Sequence, residues 1–235
     1  MGALPNVYSG YQKVTDKAVR AKFEQAWGVS LPAENGLMIP DMFEKAIEGQ
    51  LKAMYILGEN PVLTEPNANE IHSGLDNLEF LVVQELFMTE TAQYADVVLP
   101  GSSFAEKDGT FTNTERRVQR VRKAIKPLAG LADWQTIARI SKAMGYPMDY
   151  QHPGEIWAEM AELTPSMKGI SYPRLEEKGI QWPCPSEDHP GTPYLHGDTF
   201  TRGKGLFQPA EHVEPAEMPD DEYPILLSTG RILYH

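Results

Sequence analysis

Leu51-Lys-Ala-Met-Tyr-Ile-Leu57, Phe80-Leu-Val-Val83 and Asp96-Val-Val-Leu-Pro100 are three short apolar runs set apart by helix-length spans. The first breaks at Gly58-Glu59-Asn60-Pro61, the second runs into Gln84-Glu85, and the third ends at Pro100-Gly101. The last two are rich in Val and Leu, the composition of strands buried on both faces. Asn67–Leu78 and Met88–Ala95 are each long enough to hold a crossover helix. Strand, helix, strand, helix, strand reads as a parallel sheet with right-handed crossovers. The expected strands are Ala53–Leu57, Phe80–Val83 and Val97–Leu99, in an α/β, Rossmann-like three-layer domain over residues 36–146. In such sheets ligands sit beyond the carboxyl ends of the strands, where the polar residues here cluster.

Working outward, residues 1–35 read as an N-terminal loop and helix. Thr15-Asp16 caps a helix through Trp27 that carries Val19, Phe23, Ala26 and Trp27 on one face, and Gly28 ends it. Pro40 precedes a second amphipathic stretch, Met42, Phe43, Ala46 and Ile47. After Pro100, Phe104 to Arg120 alternates around Gly109 and Asn113 and reads as extended chain with tight turns. Arg116, Arg117, Arg120, Arg122, Lys123 and Lys126 form a basic run within it. Two readings stand, a solvated edge strand and an anion contact, because arginine pairs well with phosphate. Asp133 is expected to cap a helix through Met144 with Ile137, Ile140 and Met144 inward, closed by Gly145 and Pro147. A further helix is expected over Pro153–Leu163. Residues 147–222 form a helical, then irregular Pro/Gly-rich extension that wraps over a larger body from Ser166 onward. Tyr223-Pro-Ile-Leu-Leu-Ser228 reads as a strand that opens a truncated domain at 223–235.

The bulk numbers set limits. The chain has 235 residues, 41% hydrophobic and 23% charged, ordinary for a soluble globular protein. Its net charge of −12 disfavours nucleic acid and anionic membrane as partners. No apolar run is long enough to span a bilayer and no signal peptide is visible; the expected setting is cytoplasmic, with the periplasm as the alternative should sequence precede Met1, and no direct membrane contact is expected. The lone Cys184 excludes an internal disulfide framework or a multi-cysteine cluster built from this chain.

Several constellations carry little chemistry. There is no Walker sequence, no GxGxxG and no HExxH. His189, His196 and His212 match no standard zinc spacing. Cys184 lies between prolines with no base nearby in sequence and reads as an inert thiol. Glu106 and Lys107 read either as an ordinary surface pair or as functional groups just past a strand end.

Further motifs say more. Gly58-Glu-Asn-Pro61, Ala92-x-Tyr-Ala-Asp-Val-Val-Leu-Pro100, Glu106-Lys-Asp-Gly-Thr-Phe-Thr-Asn-Thr-Glu-Arg-Arg-Val-Gln119, Asp133-Trp-Gln135 and Ser228-Thr-Gly-Arg-Ile-Leu-Tyr-His235 stand in order along the chain. Together they resemble the molybdopterin oxidoreductases of the dimethyl-sulfoxide-reductase type. The Thr-Asn-Thr-Glu-Arg-Arg form, the Met1-Gly-Ala-Leu-Pro-Asn6 opening and Ile180-Gln-Trp-Pro-Cys184 are most similar to the formate dehydrogenase large subunit within that family.

That resemblance implies a middle piece of a larger subunit. It implies molybdopterin guanine dinucleotide as cofactor, with molybdenum or tungsten held by a ligand outside this chain and an iron–sulfur cluster also outside it. It implies formate as substrate. The implied partners are the rest of the same large subunit and electron-transfer subunits with iron–sulfur or flavin centres. By motif position, Gly58, Glu59, Asn60, Gln84, Glu85 and Lys107 line the dinucleotide and Asp133 meets its guanine. Thr229, Gly230, Arg231 and His235 begin a further pterin-contacting loop. No catalytic or metal-ligating residue is placed in this chain. A nitrate-reductase-like relative and a cofactor-free structural subunit of a respiratory complex are the rival readings.

Overall fold

The computed structural model describes residues 4–200, 202–215 and 218–227. Strands β1 (Val7–Tyr8) and β2 (Gln12–Lys13) form a small antiparallel ladder. Asp16 then starts α1 (Lys17–Trp27) by accepting from the amides of Ala18 and Val19, and Gly28 ends it in the left-handed region at φ 67°. Phe23 is the residue this helix buries, stacked on Tyr8. Helix α2 (Ile39–Ile47) leads into β3 (Ala53–Leu57), the short α3 (Pro61–Thr64) and α4 (Ala68–Asp76). Strands β4 (Phe80–Glu85) and β5 (Val97–Pro100) follow. The order β3-β4-β5 is parallel throughout, with Tyr55 beside Val82 and Val82 beside Val97. The expected strands and their direction are therefore present.

The layering differs from expectation. Phe43 of α2 and Ile71 and Leu75 of α4 pack with Leu81, Val83 and Ala92, so these helices cover one face of the sheet. Toward the other face, several side chains stay open among the described residues: Tyr55 is 44% exposed, Leu57 41% and Phe80 46%. The connection from β4 to β5 holds a single 3-10 turn at Thr91–Tyr94 instead of a crossover helix. Eight residues give barely two turns of helix. Thr91 is moreover tied to Asn60, whose Oδ1 accepts from its amide (3.2 Å) and hydroxyl (2.7 Å).

A second, antiparallel sheet runs β6 (Gly109–Thr112), β7 (Arg117–Val121), then, after α5 (Asp133–Ala143), α6 (Pro153–Leu163) and α7 (Tyr172–Glu177), β8 (Ile180–Gln181). Strand β7 is its middle strand, so the basic run is no edge. Its arginines serve internal contacts. Arg116 donates to Thr192 O at 3.0 Å, Arg117 pairs with Glu115 at 3.3 Å, and Arg120 pairs with Glu176 and lies over the Tyr172 ring. The edge-strand reading is corrected, and the charges of Arg116, Arg120 and Arg122 hold α7 and the 180–193 segment to the sheet.

Helix α5 is corrected in two respects. Ala132 is its N-cap and Gln135 reaches back to the Ala132 amide at 2.9 Å, so Asp133 is the first helical residue and not the cap. Its expected inward face is only partly covered: Ile140 is half-buried, while Ile137 is 37% exposed and Met144 82%.

The stretch from Ser166 is in part built into the fold of this chain. It supplies Met167, Ile170, Leu175, Ile180 and Cys184 to a core shared with Val118, Trp157 and Ala161. Cys184 is completely buried there, a packed thiol beside His189 O at 3.4 Å. The chain divides into two units, residues 1–193 and 194–235. Among the described residues of the second, Phe200 and Gly203 form an isolated bridge, and no other helix or strand occurs. The strand expected at 223–228 is absent over Tyr223–Leu227, where Ile225 and Leu227 are each 85% exposed and no described neighbour pairs with them. Ser228 lies outside the described residues. No described helix is long and apolar enough to cross a membrane.

Candidate functional site

The carboxyl ends of β4 and β5 meet at Asp133, with Tyr55 of β3 reaching the cluster through Gln84. Gln84, in the middle strand, points to the open face of the sheet and is completely buried. Its Nε2 donates to Asp133 Oδ1 at 2.9 Å. The Tyr55 hydroxyl donates to Gln84 Oε1. Beyond β5 the chain turns so closely that a Cβ at Gly101 would lie 3.2 Å from the Glu85 carbonyl carbon. The Gly101 amide bonds Glu85 O at 2.8 Å. That turn delivers the Ser102 amide to Asp133 Oδ1 at 2.8 Å, and Ser102 Oγ accepts from the Asp133 amide at 3.1 Å. Lys107 pairs with Asp133 Oδ2 and donates to Ser102 O at 2.9 Å.

Burial alone pushes the Asp133 carboxyl upward. The Lys107 ammonium and the Ser102 donors outweigh it and hold the group below the usual aspartate range. A depressed folded pKa contributes stability above the unfolded value, about 3.9. That contribution is lost as pH falls through the lower folded value. Lys107→Met is therefore expected to cost about 1–3 kcal/mol at pH 7, the usual loss when a buried polar group is left unmatched. The two proteins should converge as pH falls through that lower folded value, where the carboxyl protonates. Urea unfolding at pH 7 and through a falling acid series checks this. A deficit that is as large in acid would place the Lys107 contribution elsewhere.

The other expected residues divide. Asn60 sits on the same rim, yet its side chain is committed to Thr91 and to Glu90, which its Nδ2 reaches at 2.8 Å. It acts on the rim by fixing the turn. Gly58 continues the sheet, donating to Gln84 O at 3.0 Å with φ 64°. Glu59 is exposed on the rim, and Glu85 turns its Oε1 onto the Leu86 amide at 2.6 Å. Glu106 and Lys107 are not a pair. Glu106 is buried and accepts from the Ser103 and Leu128 amides at 2.8 and 2.7 Å. Thr229, Gly230, Arg231 and His235 lie outside the described residues. Tyr55 and Ser102 escaped the sequence reading. Ser102 follows a strand-ending Pro-Gly, a detectable signal; Tyr55 becomes visible only once the strand register is known.

Lys107 and Asp133 also line a cavity of about 840 Å3 with the rings of Tyr8, Trp134, Trp157 and Trp182. Its size is that of a small-molecule site. Among the described residues, no group of three or more His, Cys, Asp or Glu side chains is placed to hold a metal ion.

Residues 4–143 match the molybdopterin oxidoreductase family. The chain belongs to that family. Over its whole length it is 47% identical to the F420-dependent formate dehydrogenase subunit alpha of Methanocaldococcus jannaschii, spanning 35% of that protein. It is 44% identical to formate dehydrogenase H of Escherichia coli, spanning 34% of it. The chain thus covers about a third of the length of these curated relatives. Among solved structures it resembles acetylene hydratase from Pelobacter acetylenicus at TM-score 0.51 and 20% identity, over 70% of this chain and 24% of that one. That likeness supports the mixed α/β fold and no more.

Proposed function

We propose that this chain is the dinucleotide-binding segment of a formate dehydrogenase large subunit, an oxidoreductase that converts formate to carbon dioxide. The metal–pterin centre, with molybdenum or tungsten, supplies the two-electron redox chemistry when bound. Its metal ligand and the iron–sulfur cluster that takes the electrons belong to sequence outside this chain, as does contact with electron-transfer subunits. The observation that carries this reading is the Asp133 cluster at the carboxyl ends of a parallel sheet, in a chain so similar to formate dehydrogenase alpha subunits.

The residues suit one molybdopterin guanine dinucleotide. Asp133 presents a partly buried, ionised carboxylate, and guanine presents two adjacent donors on its Watson–Crick edge. Lys107 lies within reach of the same space and suits a phosphate charge. Glu59 and Glu85 on the rim suit ribose hydroxyls, Gly58 and Asn60 shape the turn between them, and Thr229, Gly230, Arg231 and His235 complete the pterin side. The cavity lined by Lys107, Asp133 and Trp134 gives the ligand space and an aromatic surface. The chain's own work is to bind and orient the cofactor.

Asp133→Asn tests the reading. The amide sets a donor against a guanine donor and removes the charge. Guanine dinucleotide binding by the intact subunit should weaken by about 1–3 kcal/mol, with most of the preference over adenine lost. Unchanged affinity and unchanged preference would remove Asp133 from the site. Metal and pterin analysis of the intact subunit separates this reading from a cofactor-free structural subunit.

A further inference from the structure

A carboxylate offers about four acceptor positions, two on each oxygen. Both positions on Asp133 Oδ1 are taken, one by Gln84 Nε2 at 2.9 Å and one by the Ser102 amide at 2.8 Å. Oδ2 holds Lys107 and keeps one position. Guanine's two donors need one position on each oxygen. Oδ2 can receive the first without rearrangement; Oδ1 cannot receive the second.

One of the two donors on Oδ1 must yield. The Ser102 amide is main chain, fixed by the Gly101 turn and by the returning bond from the Asp133 amide to Ser102 Oγ. Gln84 is a side chain. Nothing in its amide shape alone decides which end faces Asp133, since oxygen and nitrogen are nearly isosteric. The acceptor-only carboxylate decides it: Nε2 faces Asp133, and Oε1 is left to accept from the Tyr55 hydroxyl, which braces that orientation. With Gln84 completely buried, the reversed amide would set oxygen against oxygen and have little water to relieve it.

We propose that Gln84, braced by Tyr55, is a placeholder donor that occupies Asp133 Oδ1 until the second N–H of guanine replaces it. This inference rests on the guanine reading of Asp133 given above, and assigns Gln84 and Tyr55 a positioning role in the selectivity of that site. Parting Gln84 from Asp133 is a cost charged to every ligand that uses both oxygens. A ligand with a single donor on this edge, such as hypoxanthine, uses Oδ2 alone and does not meet that cost.

The test uses the intact subunit purified without cofactor, titrated calorimetrically with guanosine, inosine and adenosine 5′-monophosphates. Gln84→Leu removes the placeholder with little change of volume. It should tighten guanosine monophosphate by about three- to tenfold, the worth of one hydrogen bond, and leave inosine monophosphate unchanged. Tyr55→Phe, at a half-exposed position where the fold tolerates the change, should move guanosine monophosphate the same way by a smaller factor. Weaker guanosine monophosphate binding in Gln84→Leu would show that Gln84 contacts the ligand directly and would overturn the proposal. An equal change for both nucleotides would overturn it as well. If the wild type prefers guanosine to adenosine monophosphate but Gln84→Leu leaves the guanosine-to-inosine ratio unchanged, the placeholder fails alone. If the wild type shows no preference for guanosine over adenosine, the guanine reading fails and the placeholder with it.

Discussion

Trp157→Ala is expected to lower the stability of the protein by about 3–5 kcal/mol, the range for a buried aromatic cut to a methyl group. Trp157 lies on α6 with 7% of its surface exposed, against Ile170, Leu175 and Cys184 of the core. Its indole N–H donates to Ile170 O at 2.7 Å. Truncation therefore removes apolar burial and also leaves a buried carbonyl without its donor. The same substitution removes part of the cavity wall shared with Asp133. Urea unfolding should show the midpoint falling with little change in slope. A loss below about 1 kcal/mol would mean that the surrounding side chains collapse into the space and that this core is soft.

Gly169→Ala is expected to be comparably damaging for a different reason. A Cβ there would stand 2.0 Å from Ser186 O and 2.4 Å from its carbonyl carbon. No side chain can swing aside, because both contacts are main chain. The two strands of loop are also bound to each other, Gly169 N to Cys184 O at 2.8 Å and Cys184 N to Ser166 O at 2.7 Å. The methyl group must break that pairing or push residues 184–186 off the core, for a loss of about 3 kcal/mol at the upper end of overpacking costs. Thermal unfolding of the variant beside a Ser186→Ala control checks it. The control keeps the backbone contact and should behave like the parent protein; near-parental stability of Gly169→Ala would show that the 166–193 segment is loosely held.

Gly169 lies where sequence reasoning was weakest, whereas the helix that carries Trp157 was read with its observed bounds. The sheet was legible because Ala53–Leu57, Phe80–Glu85 and Val97–Pro100 are apolar, short and punctuated by Gly and Pro, a purely local signal. Helix α1 was legible for the same reason, with Asp16 and Gly28 at its ends. The 166–193 segment has no periodicity, and its burial comes from contacts with α6 and β7 that no window of neighbouring residues contains. Arg116, Arg120 and Arg122, in and beside β7, were misjudged because their partners, Thr192 O and Glu176, are more than fifty residues away in sequence. Apolar residues on α5 and in the open sheet face satisfied a helical or strand pattern, yet pattern says which face is apolar and not what lies against it. At the site, Lys107 and Asp133 came from motif resemblance. Their meeting with Gln84 came from the register of β3, β4 and β5, which determines the side of the sheet that Gln84 serves.

That register has a consequence for how binding and folding are linked. The Ser102 amide reaches Asp133 only because β5 pairs with β4 so that Pro100 stands beside Glu85 and the chain turns at Gly101. A slip of one residue would carry that amide about 3.3 Å along the strand and turn each side chain of β5 to the opposite face. The anchor of the carboxylate would be gone while helices and strands kept their lengths. With guanine bound as proposed, ligand affinity at Asp133 would be a ruler laid along the sheet, reading an alignment that circular dichroism would pass over unseen.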